Sequence, residues 1–120
     1  MELSIKGMVY DISAVSRIHS AKYDKYYDLQ DLFLAMLKYD ERTGRPLADE
    51  RNTPKFTFWN QKCLELQGLN KGDIITVYFE VKGSRRPGKK SSNFGEKEYV
   101  TNELIGLRVE REVKRAGFDV

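Results

Sequence analysis

The sequence predicts an all-β domain, a small barrel of five strands with one short helix between the third and the fourth. Three observations carry this. Residues 74–82 alternate Ile75, Val77, Phe79 and Val81 with Thr76, Tyr78, Glu80 and Lys82, the period of two that marks a half-buried strand. Lys55 to Trp59 alternates in the same way and runs directly into the helical spacing of Cys63, Leu64, Leu66 and Leu69. At 120 residues and 40% hydrophobic content, the chain is long enough for one domain with one core.

The first strand is read from Leu3 to Ile12, where Leu3, Ile5 and Val9 alternate with Ser4, Lys6 and Tyr10. Gly7 falls on the inward phase, where a strongly bent strand uses a residue without a side chain. Residues 14–26 are polar and mixed, and read as a loop. The stretch from Tyr27 to Lys38 fits two templates. Leu29, Leu32, Phe33, Met36 and Leu37 match helical spacing with Asp28 as an N-cap, whereas Leu32, Leu34 and Met36 against Leu29, Phe33, Ala35 and Leu37 match a strand buried on both faces. Element order decides for the strand, because a helix here would leave four strands, too few to close a barrel. Residues 39–54, with Gly44, Pro46 and Pro54, read as a long exposed loop.

The third strand is Lys55 to Trp59, with Phe56 and Phe58 inward. A short amphipathic helix starts at Asn60 and Gly68 helps to end it. Asn70-Lys71-Gly72-Asp73 is a turn before the fourth strand. Gly83 to Lys97 reads as a loop, and the last strand runs from about Tyr99 to Val109, with a bulge where its phase slips near 102–106. Residues 1–111 form the expected domain and 112–120 a tail. Strand, strand, strand, helix, strand, strand is the order of the Greek-key OB barrel.

Phe56-Thr57-Phe58-Trp59-Asn60, the turn Leu69-Asn70-Lys71-Gly72-Asp73, the strand Ile75 to Gly83 and the late Thr101-Asn102-Glu103-Leu104-Ile105-Gly106-Leu107 together resemble small bacterial and phage single-stranded-DNA-binding proteins of the OB superfamily. The resemblance covers residues 55–110 well and the first strand loosely. It implies a single-strand-binding surface across the second and third strands, flanked by the loops after the first and fourth, and a homo-oligomer. Members of that family end in a Gly-rich linker and an acidic tail. Here the last residues are Lys114-Arg115-Ala116-Gly117-Phe118-Asp119-Val120, so recruitment of partners through such a tail is not expected.

Charge distribution says more than the net charge of +3. Lys82, Arg85, Arg86, Lys89 and Lys90 fall within nine residues that contain no acid, which points to a defined anionic partner. Most charge runs are merely solvated. From Arg85 on, this one sits in the loop that borders the binding face of an OB barrel, so Arg85, Arg86, Lys89 and Lys90 are candidate phosphate contacts, with Lys82 on the outward phase of the fourth strand. Arg17 and Lys22 of the first loop flank the opposite side. Single-strand binders also need aromatic faces for bases. Trp59 and Tyr78 take the outward phase of their strands, and Phe94 lies in the basic Gly- and Ser-rich loop. Each has an ordinary structural reading as well: a partly packed strand end, a cross-strand pair, and a ring folded back on the barrel. Acids at Asp40, Glu41, Asp49 and Glu50 disfavour a phosphate backbone along the 39–54 loop.

Counting excludes other classes. Cys63 and His19 are the only cysteine and histidine, too few for a zinc finger or an intrachain disulfide. Cys63 between apolar neighbours reads as a buried thiol rather than a nucleophile. Gly83 to Gly88 is not followed by the Lys-Ser/Thr of a phosphate-cradling loop, and no carboxylates pair at a recognisable spacing. No enzyme activity, metal or cofactor is expected. The N-terminus lacks a charged segment followed by an apolar one and no transmembrane run is visible, so a cytoplasmic location is expected. The expected partner is single-stranded DNA, with RNA open. The rival readings are an OB module for protein–protein contact and a structural homodimer pairing strand edges.

Overall fold

The computed structural model describes residues 2–86 and 99–112. Most of these residues lie in strands: β1 (Leu3–Ile12), β2 (Ser16–Ser20), β3 (Lys25–Tyr39), β4 (Pro46–Asp49), β5 (Lys55–Trp59), β6 (Ile74–Arg86) and β7 (Tyr99–Arg111). A 3-10 helix, Asn60–Leu66, joins β5 to β6. No helix among the described residues is long and apolar enough to cross a membrane.

The ambiguous stretch is a strand. β3 is 15 residues long and holds the sheet together by pairing on both edges. One edge takes β2 (Arg17 opposite Asp28) and then β1 (Val9 opposite Leu34). The other takes β5 (Leu29 opposite Trp59) and then β4 (Leu37 opposite Ala48). β1 pairs in turn with β6 and β6 with β7, and β7 meets β5 in parallel at Thr57 and Ile105. The pairings therefore pass from β1 through β3, β5, β7 and β6 back to β1.

Four expectations are corrected. Seven strands, not five, occur among the described residues. The additional two lie in stretches read as loops, β2 within 14–26 and β4 within 39–54. Both are short and without an apolar period of their own, and each forms because the overlong β3 presents backbone donors and acceptors that an antiparallel neighbour satisfies. The fourth strand does not stop at Lys82. It continues to Arg86 because β7 pairs with it throughout, Arg86 opposite Tyr99. Finally, the β7 irregularity falls later than 102–106: Tyr78 faces Arg108 and Phe79 faces Gly106, so Leu107 is the extra residue.

The core is the inward phase of these strands. Val9, Leu32, Leu34, Phe56, Phe58, Ile75 and Val77 are all at most 2% exposed. Phe79 meets Phe56 edge to face at 5.0 Å, a favoured aromatic geometry. The helix caps one end by burying Cys63 and Leu66, with Leu69 just beyond. That spacing of three is the repeat of a 3-10 helix, and it leaves Leu64 60% exposed. Two glycines are sterically required. A Cβ on Gly7 would lie 2.6 Å from Leu34 Cγ and 2.7 Å from the Ala35 carbonyl oxygen, and one on Gly106 would lie 2.3 Å from Phe58 Cζ.

Cys63 is buried and its thiol donates to the Phe58 carbonyl at 3.3 Å. Burial pushes its pKa up, which disfavours the reactive thiolate. Val81 shares the inward phase of β6 but is 52% exposed. The pairing of β6 with β1 ends at Phe79, so beyond that point the β6–β7 ribbon has left the strand that would cover it.

Candidate nucleic-acid interface

Strand phase divides β3 and β5 into an inner and an outer face. Phe56, Phe58, Leu32 and Leu34 turn inward and are fully buried. Their alternates, Lys55, Thr57 and Trp59 on β5 and Leu29, Asp31 and Phe33 on β3, turn outward. Register sets them in rows: Trp59 with Leu29, Thr57 with Asp31, Lys55 with Phe33. On the far edge of β3, Ser16 extends the first row, and Ile18 stands beside Tyr27 on the same face. Tyr27, Leu29, Phe33 and Trp59 are half-buried, so the face is apolar and aromatic yet open to solvent. The middle row is polar. Thr57 Oγ1 donates to Asp31 Oδ1 at 2.8 Å, and Ser13 Oγ accepts from the Asp31 backbone N–H at 2.9 Å.

The β2–β3 hairpin runs on from this face and carries Arg17 and Lys22. Arg17 Nε donates to Asp28 Oδ1 at 3.1 Å, and that bond with the adjacent carboxylate pushes the guanidinium pKa above its ordinary value. His19 stacks at a tilt on Tyr26 at 4.7 Å, and its Nε2 lies 2.9 Å from Asp24 Oδ1. The Arg17 guanidinium is 6.0 Å from the Tyr26 ring centre and Lys22 Nζ is 5.2 Å from that of Tyr23. Tyr23 and Tyr26 are 59% and 65% exposed. The hairpin thus joins cations and open aromatic rings in one arm.

Sequence reasoning named Arg17 and Lys22 but missed Tyr23, Tyr26, Tyr27 and Phe33. The first two were hidden by reading 14–26 as a loop. The other two needed the register of β3 against β5, since Phe33 fits either side of a doubly buried strand.

Trp59 closes the outward row of β5. Tyr78 stands elsewhere, on β6, which pairs with neither β3 nor β5. Arg108, directly opposite, lies over its ring with the guanidinium carbon 3.5 Å from the centroid, and the phenol donates to Glu110 Oε2 at 2.7 Å. One face of that ring is therefore already covered. Lys82 is opposite Glu103 on the β6–β7 ribbon, Arg85 is opposite Val100, and the backbone of Arg86 ends β6. The structure thus sets Arg85 and the backbone of Arg86 on the same ribbon as Lys82 instead of in a loop. Lys89, Lys90 and Phe94 lie outside the described residues.

The path of strands, in which the sheet returns to its first strand, is similar to the fold of solved single-stranded-DNA-binding proteins. The small single-stranded DNA-binding protein of Streptomyces coelicolor shares it over 94% of both chains at 13% identity and a TM-score of 0.50. The single-stranded DNA-binding protein of Thermus aquaticus shares it at 15% identity and a TM-score of 0.53, over 96% of this chain and 51% of that one. This chain therefore spans about half the length of the Thermus protein. No family model and no curated protein matches the sequence.

Proposed function

We propose that this chain is an OB-barrel protein that binds single-stranded nucleic acid, DNA before RNA, and acts by binding rather than by catalysis. The observation that carries this is the outward face of β3 and β5, where Tyr27, Leu29, Phe33 and Trp59 stand half-buried beside the Arg17–Lys22 hairpin. Lys55 stands in the row of Phe33 on this face, while Arg17, opposite Asp28, takes the other phase of the hairpin at its border. Aromatic rings bordered by cations suit bases that stack and phosphates that are neutralised. The bases are tolerated broadly, since every base has a π-face. Fold likeness to the Streptomyces and Thermus proteins supports the same reading and favours DNA.

Lys82 and Arg85 extend the electrostatic surface along the β6–β7 ribbon, and Arg86, Lys89, Lys90 and Phe94 belong to the proposal on their sequence alone. Homo-oligomerisation belongs to the same proposal. One OB domain covers only a short stretch of nucleotides, and Val81 and Val100, 52% and 59% exposed on the ribbon, suit a contact with a second copy.

The test is a titration with fluorescent single-stranded oligonucleotides at two salt concentrations while the emission of the one tryptophan, Trp59, is followed. Binding that weakens with salt and quenches Trp59 is expected. No binding at low salt would remove the proposal and leave a protein–protein module in its place.

A further inference from the structure

Asp31 is a carboxylate in the middle of the face proposed to take a polyanion, where simple electrostatics would put none. It stands on β3 between Leu29 and Phe33, one pleat repeat or about 6.8 Å from each along the strand. Across the ladder its row is Thr57, flanked by Trp59 and Lys55. The side chain is fixed. Thr57 Oγ1 donates to Oδ1 at 2.8 Å, while Oδ2 has no hydrogen-bond partner among the described residues. Thr57 and Lys55 also line a groove of about 370 Å³ with Pro54, Asn102, Glu103 and Leu104, which gives space beside the row for a planar ring.

An ionised carboxylate only accepts hydrogen bonds. Held between stacking positions, it would meet the edge of a base lying on Trp59 or Phe33. Cytosine offers an exocyclic amino donor at its position 4, where uracil and thymine offer a carbonyl acceptor. The carboxylate gains a bond with the first and faces like dipoles with the others. We propose that Asp31, positioned by Thr57, is a base-discriminating residue that favours strands whose bases carry an exocyclic amine, cytosine over uracil or thymine. The proposal rests on the single-strand-binding reading and adds a selectivity to it.

The experiment compares labelled deoxycytidine and deoxyuridine oligomers of about 16 nucleotides by fluorescence anisotropy, at mildly alkaline pH so that cytosine stays unprotonated. The two differ at the position-4 group without the methyl of thymine. The expected result is tighter binding of the cytosine strand by about fivefold or more, the low end of discrimination by base-edge contacts. Asp31→Asn presents an amide donor in the same shape and should bring the ratio to one or reverse it. Thr57→Val, which frees the carboxylate, should lower the ratio, and Glu41→Gln, in the exposed turn between β3 and β4, should leave it unchanged. Circular dichroism checks each fold.

If both strands bind equally, or if Asp31→Asn strengthens both by the same factor, Asp31 is only a repelling charge and the inference fails while the binding reading stands. If neither strand binds at low salt, both fall.

Discussion

Gly106 lies against the face of Phe58 so closely that a β-carbon there would come within 2.3–2.5 Å of three ring carbons. Phe58 is fully buried in the core and cannot retreat without moving Phe56, Leu32 or the helix cap. Gly106→Ala is therefore expected to destabilise the fold by about 1–3 kcal/mol, the usual range for overpacking a core. Urea unfolding should show a lower midpoint at an unchanged slope. An unchanged midpoint would mean that β7 shifts freely around its bulge.

Trp59→Ala removes the one indole from the outward row without touching Phe56 or Phe58. Affinity for single strands should fall by ~1–3 kcal/mol, the value of one base stack, with the circular dichroism spectrum retained. Equal affinity in the variant would assign Trp59 to packing against Leu29.

Arg17→Ala and Lys22→Ala test the hairpin as a phosphate contact. Each should weaken binding to all sequences alike and reduce the slope of log affinity against log salt by about one. In the Arg17 variant Asp28 also loses its partner, so that variant should show the larger drop at low salt. A salt slope unchanged in both would leave the hairpin a solvated arm.

Tyr78 has its pKa raised above the ordinary value, first because its hydroxyl donates to Glu110 and then by burial and the charge of Glu110, with Arg108 opposing. A group whose folded pKa is raised contributes stability in full below its unfolded value near 10 and loses it as pH rises through the folded value. Absorbance titration of phenolate should place Tyr78, identified by difference from Tyr78→Phe, above the ordinary tyrosine value near 10. Glu110→Gln should bring it down. If Tyr78 titrates at the ordinary value, the bond to Glu110 does not persist in solution.

Much of the fold was legible because alternation is a local property. The buried phases of β5 and β6 follow from the placing of Phe56, Phe58, Ile75 and Val77 at every second residue. Gly7 was legible as an inward position for the same reason. β2 and β4 were not, because Ser16–Ser20 and Pro46–Asp49 have no apolar period of their own. They are strands only because β3 extends past β1 and β5 and offers them an edge. The helix at Asn60 was legible as a capping turn. Its 3-10 form shows only in which residues it buries.

The candidate site divides along the same line. Arg17, Lys22, Lys82, Arg85 and Arg86 could be named from charge alone, and Trp59 from the phase of its own strand. The row that joins Trp59 to Leu29, the hold of Thr57 on Asp31 and the cover of Arg108 over Tyr78 are pairings between residues 26–30 positions apart. By itself the sequence determined which side chains turn inward and outward along each strand, because a period of two is written within a few residues. Only the tertiary structure decided which outward side chains share a face, because register between strands is set by the packing of the whole core.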